Sequence, residues 1–335
     1  MRDEAHVWTD EQIEKLERRI RRIYEDAARE LEETVYAYFE RLKARDAKQR
    51  AMLEEGKITE EEYKLWRIAQ IGRGKRFAEL RDKMAERYTA ANKTAVAYIN
   101  DQTPSIYSLN RNYMAYTIEQ VHGNVGFTLF GESTVRRLIV DQPDLMPNYP
   151  QNLAVRRGID LDWGKKQITA SITSSILQGK NLKRMADDLQ RRIQTMNRNS
   201  AIRTARTACT TAQNAGRQDS FEAAAQMGIR VRKRWIATKD NRTRHDHGAA
   251  DGQIVDYDKP FIVGGYSMMY PGDGEHGAPG RLIYNCRCTM RTVEKEGIEQ
   301  EPRRMRVRDP VTGRNVVVDE MTYAEWKEWV KRRGG

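Results

Sequence analysis

The chain has 335 residues, 39% hydrophobic and 32% charged, with a net charge of +11, so it is long enough for two or three cores and too apolar for a disordered chain. A mean hydropathy of −0.82, the lack of any run of about 18 apolar residues and the polar start Met1-Arg2-Asp3-Glu4 exclude a membrane span or signal peptide by pattern and predict a chain kept in a cytosol. Three cysteines cannot make a disulfide framework, so the thiols are expected to be reduced.

Residues 9 to 54 carry apolar side chains at three- and four-residue steps, from Ile13, Leu16 and Ile20 to Phe39 and Leu42, with no glycine or proline. The pattern predicts one long amphipathic helix. Glu55-Gly56-Lys57 ends it, and Thr59-Glu60-Glu61-Glu62 is a capping-box sequence that opens a partner helix. A further helix is expected from about Lys75 to Ile99. Residues 100 to 162 are the least periodic, punctuated by Pro104, Pro143, Pro147 and Pro150, with helical pieces at Ser108 to Val121 and Glu132 to Val140.

The helical period returns at Trp163. Helices are expected at 163–177, 182–193 and 200–227, the last with an alanine-rich face and Cys209 within it. From Ile229 to Trp235 the period is two, which predicts a strand, and shorter strands are expected at 253–255, 261–263 and 281–284. Met305 to Val307 and Asn315 to Val318 flank Asp309-Pro310-Val311-Thr312-Gly313, a hairpin signal. A terminal helix after Thr322 carries Trp326, Trp329 and Val330, which must dock on something. The fold class is α+β: a long helical N-terminal arm and helical middle, with a small C-terminal domain containing a short β-sheet and a loop-rich metal site. The expected divisions are 1–100, 101–162, 163–295 and 296–335.

Charge is unevenly placed. Residues 151 to 240 hold 18 Lys/Arg against 7 Asp/Glu, a surplus of 18 − 7 = +11, which leaves the rest of the chain at zero. Such a block attracts a phosphate polymer or an acidic protein surface, or is a solvated helical face. Aromatics are nearly absent between its basic residues, so any nucleic-acid contact is expected to be to phosphates and without sequence reading.

Metal-ligand chemistry is concentrated between 235 and 290. His245 and His247 sit one residue apart, His276 follows in a Gly-rich loop, and Cys286 and Cys288 flank Arg287. Thiolate and imidazole together select zinc over harder cations. C-x-C is a weaker signal than paired C-x-x-C knuckles, and small buried residues tying the Asn285 loop to the sheet are the plain alternative. A catalytic metal centre built from His245, His247, Asp240, Asp246 and Asp251 is a second alternative, the mark of a metal-dependent DNA-processing or toxin-like hydrolase. No H-E-x-x-H, phosphate loop or nucleophile elbow accompanies it.

Ala205-Arg206-Thr207, Asn214-Ala215-Gly216-Arg217, Trp235-Ile236-Ala237-Thr238, Asp240-x-Arg242-Thr243-Arg244-x-x-His247, Asp251-Gly252, Pro271-Gly272-Asp273 and Asn285-Cys286-Arg287-Cys288 together resemble the Mu F-like head morphogenesis, or minor head, proteins of tailed bacteriophages. The resemblance covers about residues 160 to 295, and the 56–59 hairpin loosely resembles N-terminal arms of some members. It departs at Ala208, where the family is usually acidic, and at His245, where it is usually not histidine.

The resemblance implies a non-enzymatic virion component, made in the host cytoplasm, that meets the portal protein and packaged double-stranded DNA, and scaffold or major capsid protein as further partners. Residues expected to face DNA or portal are Lys183, Arg184, Arg191, Arg192, Arg203, Arg206 and Arg217. His247, Cys286 and Cys288 map onto family positions as ligands of a structural zinc, with His276, His245, Asp240 or water as the fourth. Asp240, Arg242 and Arg244 are expected to order the loop by buried ion pairs, with Asp251, Gly252 and Asn285 as further structural positions.

Overall fold

The computed structural model describes residues 3–123, 126–141, 160–293, 304–308, 315–319 and 321–333. The expectations at Pro143, Pro147, Pro150 and the Asp309–Gly313 turn lie outside these residues. Helices dominate: α1 (Glu4–Glu40), α2 (Lys43–Glu54), α3 (Glu60–Ile71), α4 (Lys75–His122), α5 (Glu132–Asp141), α6 (Leu161–Leu177), α7 (Leu182–Gln226), the short α8 (His245–Ala249) and α9 (Gly280–Ile283), and α10 (Tyr323–Arg333). Strands are β1 (Arg232–Ile236), β2 (Ile254–Asp256), β3 (Phe261–Val263), β4 (Tyr266–Met268), β5 (Thr289–Thr292), β6 (Arg304–Arg308) and β7 (Asn315–Asp319). No described helix is long and apolar enough to cross a membrane.

The chain divides into two compact units, each assembled from separate stretches: Met1–Glu14, Ile99–Asn148 and Thr204–Gly335 in the first, Lys15–Tyr98 and Tyr149–Arg203 in the second. These bounds differ from the contiguous divisions expected, because α1, α4 and α7 each contribute residues to both units.

In the second unit the predicted hairpin is present. Thr59 accepts from the Glu62 amide at 3.2 Å while Glu62 accepts from the Thr59 amide at 2.8 Å, a complete capping box. The single helix expected over 9–54 is instead two, broken at Arg41–Leu42, where the Leu42 amide bonds to Phe39 and tightens the turn. Past the break, the buried Asp46 of α2 meets the buried Arg67 of α3 at 3.2 Å, and Tyr63 donates to the same carboxylate at 3.0 Å. The expected break at 194–199 is absent. Asn197 is buried there, donates to the Ile193 carbonyl at 2.9 Å and accepts from Asn92 at 3.0 Å, and Asn92 accepts from the Tyr24 hydroxyl. An asparagine that competes with helix in isolation thus joins α1, α4 and α7 once packed.

Pro104 lies inside α4 rather than at its end. It removes the amide that would reach Asn100, and the Thr103 hydroxyl approaches that carbonyl at 3.5 Å. The two expected helices at 75–99 and 108–121 therefore run together.

The first unit is organised about Arg217 of α7, which is completely buried. Its guanidinium bonds Asp3 at 2.6 and 2.8 Å, Asn110 at 2.9 and 3.0 Å, and the Met290 carbonyl at 2.8 Å. One side chain thus joins the start of α1, the second half of α4, and β5. Beside it, β2-β1-β5 form an antiparallel sheet in which Lys233 faces Val255 and Thr292 and Trp235 faces Met290. β3 and β4 form a hairpin through Gly264 and Gly265, both at positive φ, as a tight two-residue turn requires. β6 and β7 pair antiparallel as expected.

The stretch 281–284 expected as a strand is the turn of helix α9, because Pro279 leads into Gly280 and the Tyr284 amide bonds back to it at 2.9 Å. The terminal helix docks on α4: Trp326 is buried, donates to the buried Glu119 at 2.6 Å, and packs its ring on Tyr116 and Tyr323, the latter also against Tyr113.

Candidate metal centre

β1 leads through Thr238 and Asp240 into the five-residue α8, whose third residue, His247, is buried, while Cys286 and Cys288 follow α9 on the approach to β5. Asn285 makes this turn possible. It sits at φ +54°, a left-handed conformation that asparagine tolerates better than most residues. The loop is then fastened from behind by α7: Thr207 Oγ1 accepts from the Asn285 amide at 3.2 Å, Thr210 donates to the Cys286 carbonyl at 2.8 Å, and Asn214 donates to the Cys288 carbonyl at 3.2 Å. On the other side Thr238 donates to the Arg287 carbonyl at 2.8 Å. Of these α7 anchors, Thr207 and Asn214 were legible in the sequence only as motif members, without a role, and Thr210 was missed.

His247, Cys286 and Cys288 are 2%, 1% and 3% exposed, and their ligand atoms lie within 4.8 Å of one another. His247 Nδ1 is 3.3 Å from the Cys288 sulfur and 3.7 Å from that of Cys286. A tetrahedral zinc with ordinary bond lengths sets nitrogen and sulfur about 3.6 Å apart, so the donor set fits a metal ion in both chemistry and spacing. The Cys288 amide also donates to the Cys286 sulfur at 3.4 Å.

Hydrogen bonding from Cys286, aided by His247, draws the Cys288 thiol down to about 5 against its own burial. The Cys288 thiolate and burial push Cys286 the other way. One thiolate is therefore ready to bind and the other would lose its proton to the ion. With Nδ1 turned to the sulfurs, His247 Nε2 is buried and unpartnered among the described residues, and the ring packs edge-to-face with Trp235, centroids 5.8 Å apart.

The other expected ligands stand elsewhere. His245 is 97% exposed and nearest Asp246, and His276 is half-exposed with Nδ1 2.7 Å from Asp273. Neither joins the cluster, because α8 positions two apart point to different faces and Asp273 holds the His276 ring. Asp240 is not a ligand either. Arg287 holds its carboxylate at 2.5 and 2.7 Å and, by those bonds, far below the usual range.

The loop-ordering pairs are surface ones rather than buried: Asp240 and Arg287 are both 32% exposed, and Arg242 is 74% exposed and 3.9 Å away. Arg244 instead donates to the Tyr284 carbonyl. Asp251 accepts from the Ala237 amide at 2.9 Å, and Gly252, at φ +79°, donates to the Trp235 carbonyl.

Of the basic residues, Lys183, Arg184, Arg191 and Arg192 are exposed on α7, Arg203 and Arg206 are half-buried, and Arg191 pairs with Asp188 at 2.8 Å. Arg217 is corrected: a fully buried guanidinium with five hydrogen bonds has no surface to offer DNA or a portal.

Residues 166–291 match the family described as Phage Mu protein F like protein. That segment is similar to this phage family, and the similarity of the whole chain is to a phage minor head protein. Minor head protein GP7 of Bacillus phage SPP1 is 26% identical across 98% of this chain and 97% of its own length. A protein of Enterococcus faecalis named NAD(+)--arginine ADP-ribosyltransferase EFV is 28% identical across 62% of this chain, but the match spans only 43% of that enzyme. No solved structure matches the chain.

Proposed function

We propose that the chain is a non-enzymatic minor head component of a bacteriophage, assembled with other head proteins in the host cytoplasm and retained in the virion at the portal vertex. The observation that carries this reading is the end-to-end similarity to a minor head protein, which extends past the family segment into both chain ends. The portal protein and packaged double-stranded DNA are the partners, with scaffold or major capsid protein as further ones. The exposed Lys183, Arg184, Arg191 and Arg192, flanked by Arg203 and Arg206, supply sequence-independent phosphate contacts.

In this reading His247, Cys286 and Cys288 hold a structural zinc ion that clamps the β1–α8 loop to the β5 approach. Their burial leaves no route for a substrate, which favours a structural over a hydrolytic centre. The test is metal analysis of the purified protein, with His247→Ala and Cys286→Ser beside it. About one equivalent of zinc is expected in the wild type, lost in both variants together with several kcal/mol of stability, and no DNA hydrolysis by any of them. Metal-free wild-type protein that unfolds no earlier than a zinc-reconstituted sample would remove the clamp, and zinc-dependent DNA cleavage would replace it with the hydrolase.

A further inference from the structure

The second unit holds a cavity of about 680 Å³ far along the sequence from the block that carries the net charge. It is walled by the end of α1, the Arg41–Leu42 break, the end of α3 and the beginning of α4. Arg41 stands at the break, Arg45 in the first turn of α2, Arg73 in the α3–α4 loop, and Lys75, Arg76 and Lys83 on α4; all six are exposed and line this one space. Lys83 donates to Thr34 at 2.9 Å. The other five make no ion pair or side-chain hydrogen bond with any described residue, although most arginines elsewhere in this unit do.

Two carboxylates, Glu33 and Glu79, also line the cavity, and neither is paired. Six cations against two anions leave a local excess of four. Cations gathered on several elements repel one another, and a concave wall focuses their field. Four of the six are arginines, whose planar forks suit phosphate oxygens better than a lysine's point charge. Gly74 precedes α4 and has no side chain to cap it, so the first amides of a 48-residue helix open beside the same space.

We propose that this cavity is a docking site for a chain of phosphate groups. The shared chemistry is a run of phosphates, either in a free polyphosphate or in a nucleic-acid backbone. The site uses none of the α7 residues to which DNA contact is assigned above, so neither reading rests on the other.

The full-length protein is titrated at low salt with inorganic tripolyphosphate by calorimetry and with a labelled 20-base-pair duplex by anisotropy. Arg41→Gln/Arg73→Gln/Arg76→Gln is compared with Lys183→Gln/Arg184→Gln. Wild-type protein is expected to bind tripolyphosphate at one saturable site, about ten-fold or more weaker in the triple variant and within about two-fold in the control. A duplex salt slope that also falls by about three in the triple variant identifies the backbone as the source; an unchanged slope identifies free polyphosphate.

Circular dichroism checks the fold. If the triple variant loses helix, Arg73→Gln alone, in an exposed loop, is read for a loss of about three-fold. No tripolyphosphate binding, equal binding in the triple variant, or equal displacement by polyglutamate overturns the proposal, the last in favour of an acidic protein surface.

Discussion

Lys233 is a cation in a place where a hydrocarbon would ordinarily sit. It lies on the inner face of β1, fully buried, with Nζ donating to Gln218 at 3.0 Å and to the Met269 carbonyl at 2.8 Å, and 5.3 Å from the Phe261 ring. Burial pushes its ammonium down to about 8, partly offset by Glu222, Asp273 and Asp258. Between there and the unfolded value near 10.4 the unfolded chain holds the proton that the folded chain has released. Stability therefore rises with pH across that window, by up to ~3 kcal/mol. Lys233→Met is expected to lack this rise, and urea midpoints at pH 7.5, 9 and 10 measure it. Parallel curves for the two proteins would show that the ammonium is solvated after all. The sequence marked Lys233 as one step of an alternating strand, and alternation did place it inward; what it could not show was which acceptors wait there, since Gln218 and Met269 reach it only through the fold.

At the scale of elements, the crossing of α4 and α7 turns on Gly216. A methyl group there would stand 2.5 Å from the Tyr107 carbonyl oxygen and 3.2 Å from the Arg111 amide, both backbone atoms that cannot swing aside. Gly216→Ala is expected to cost about 1–3 kcal/mol by forcing the helices apart. Gly248→Ala, with nothing within 4 Å, is the control and should change little. Denaturant midpoints of the two variants decide it, and equal midpoints would mean that the helices slide at no cost.

Much of this scale was legible: the capping box, the turn at 178–181, the strand into Trp235 and the terminal helix follow from local chemistry. The misreadings share one cause. Pro104 and Asn197 are helix breakers in isolation, and neighbouring groups took up their backbone and side-chain demands. Leu42 marks no break locally, yet the helix stops there and the next one, α2, carries the buried Asp46 that pairs with Arg67 of α3. The metal cluster was half-legible for the same reason: Cys286 and Cys288 are neighbours in sequence, but only packing separates His247 from His245 and His276.

For the whole molecule, net charge proved a poor guide to local charge. The first hundred residues look balanced, yet packing collects six of their cations around one cavity. Hydrophobic closure of the first unit depends on α10. Trp326→Ala is expected to cost about 3–5 kcal/mol, because it empties an aromatic site and leaves Glu119 without its indole donor. Glu328→Ala, exposed on the same helix, should be near neutral. Near-UV dichroism and urea midpoints compare the two, and an intact Trp326→Ala core would mean that α10 is dispensable.

The Asp3–Arg217 pair sets an order of events during synthesis. Its partners are 214 residues apart, so the first helix emerges from the ribosome long before the side chain that will hold it. Residues 15 to 203 already contain every part of the second unit, which can close while the chain is still growing. The first unit must wait for residues 204 to 333, on the order of ten seconds at ordinary translation speeds. Throughout that interval the Asp3 carboxylate lacks Arg217 and the apolar face of α4 beyond Ile99 lacks the later core residues that cover it, and this is when a chaperone would find the most to hold.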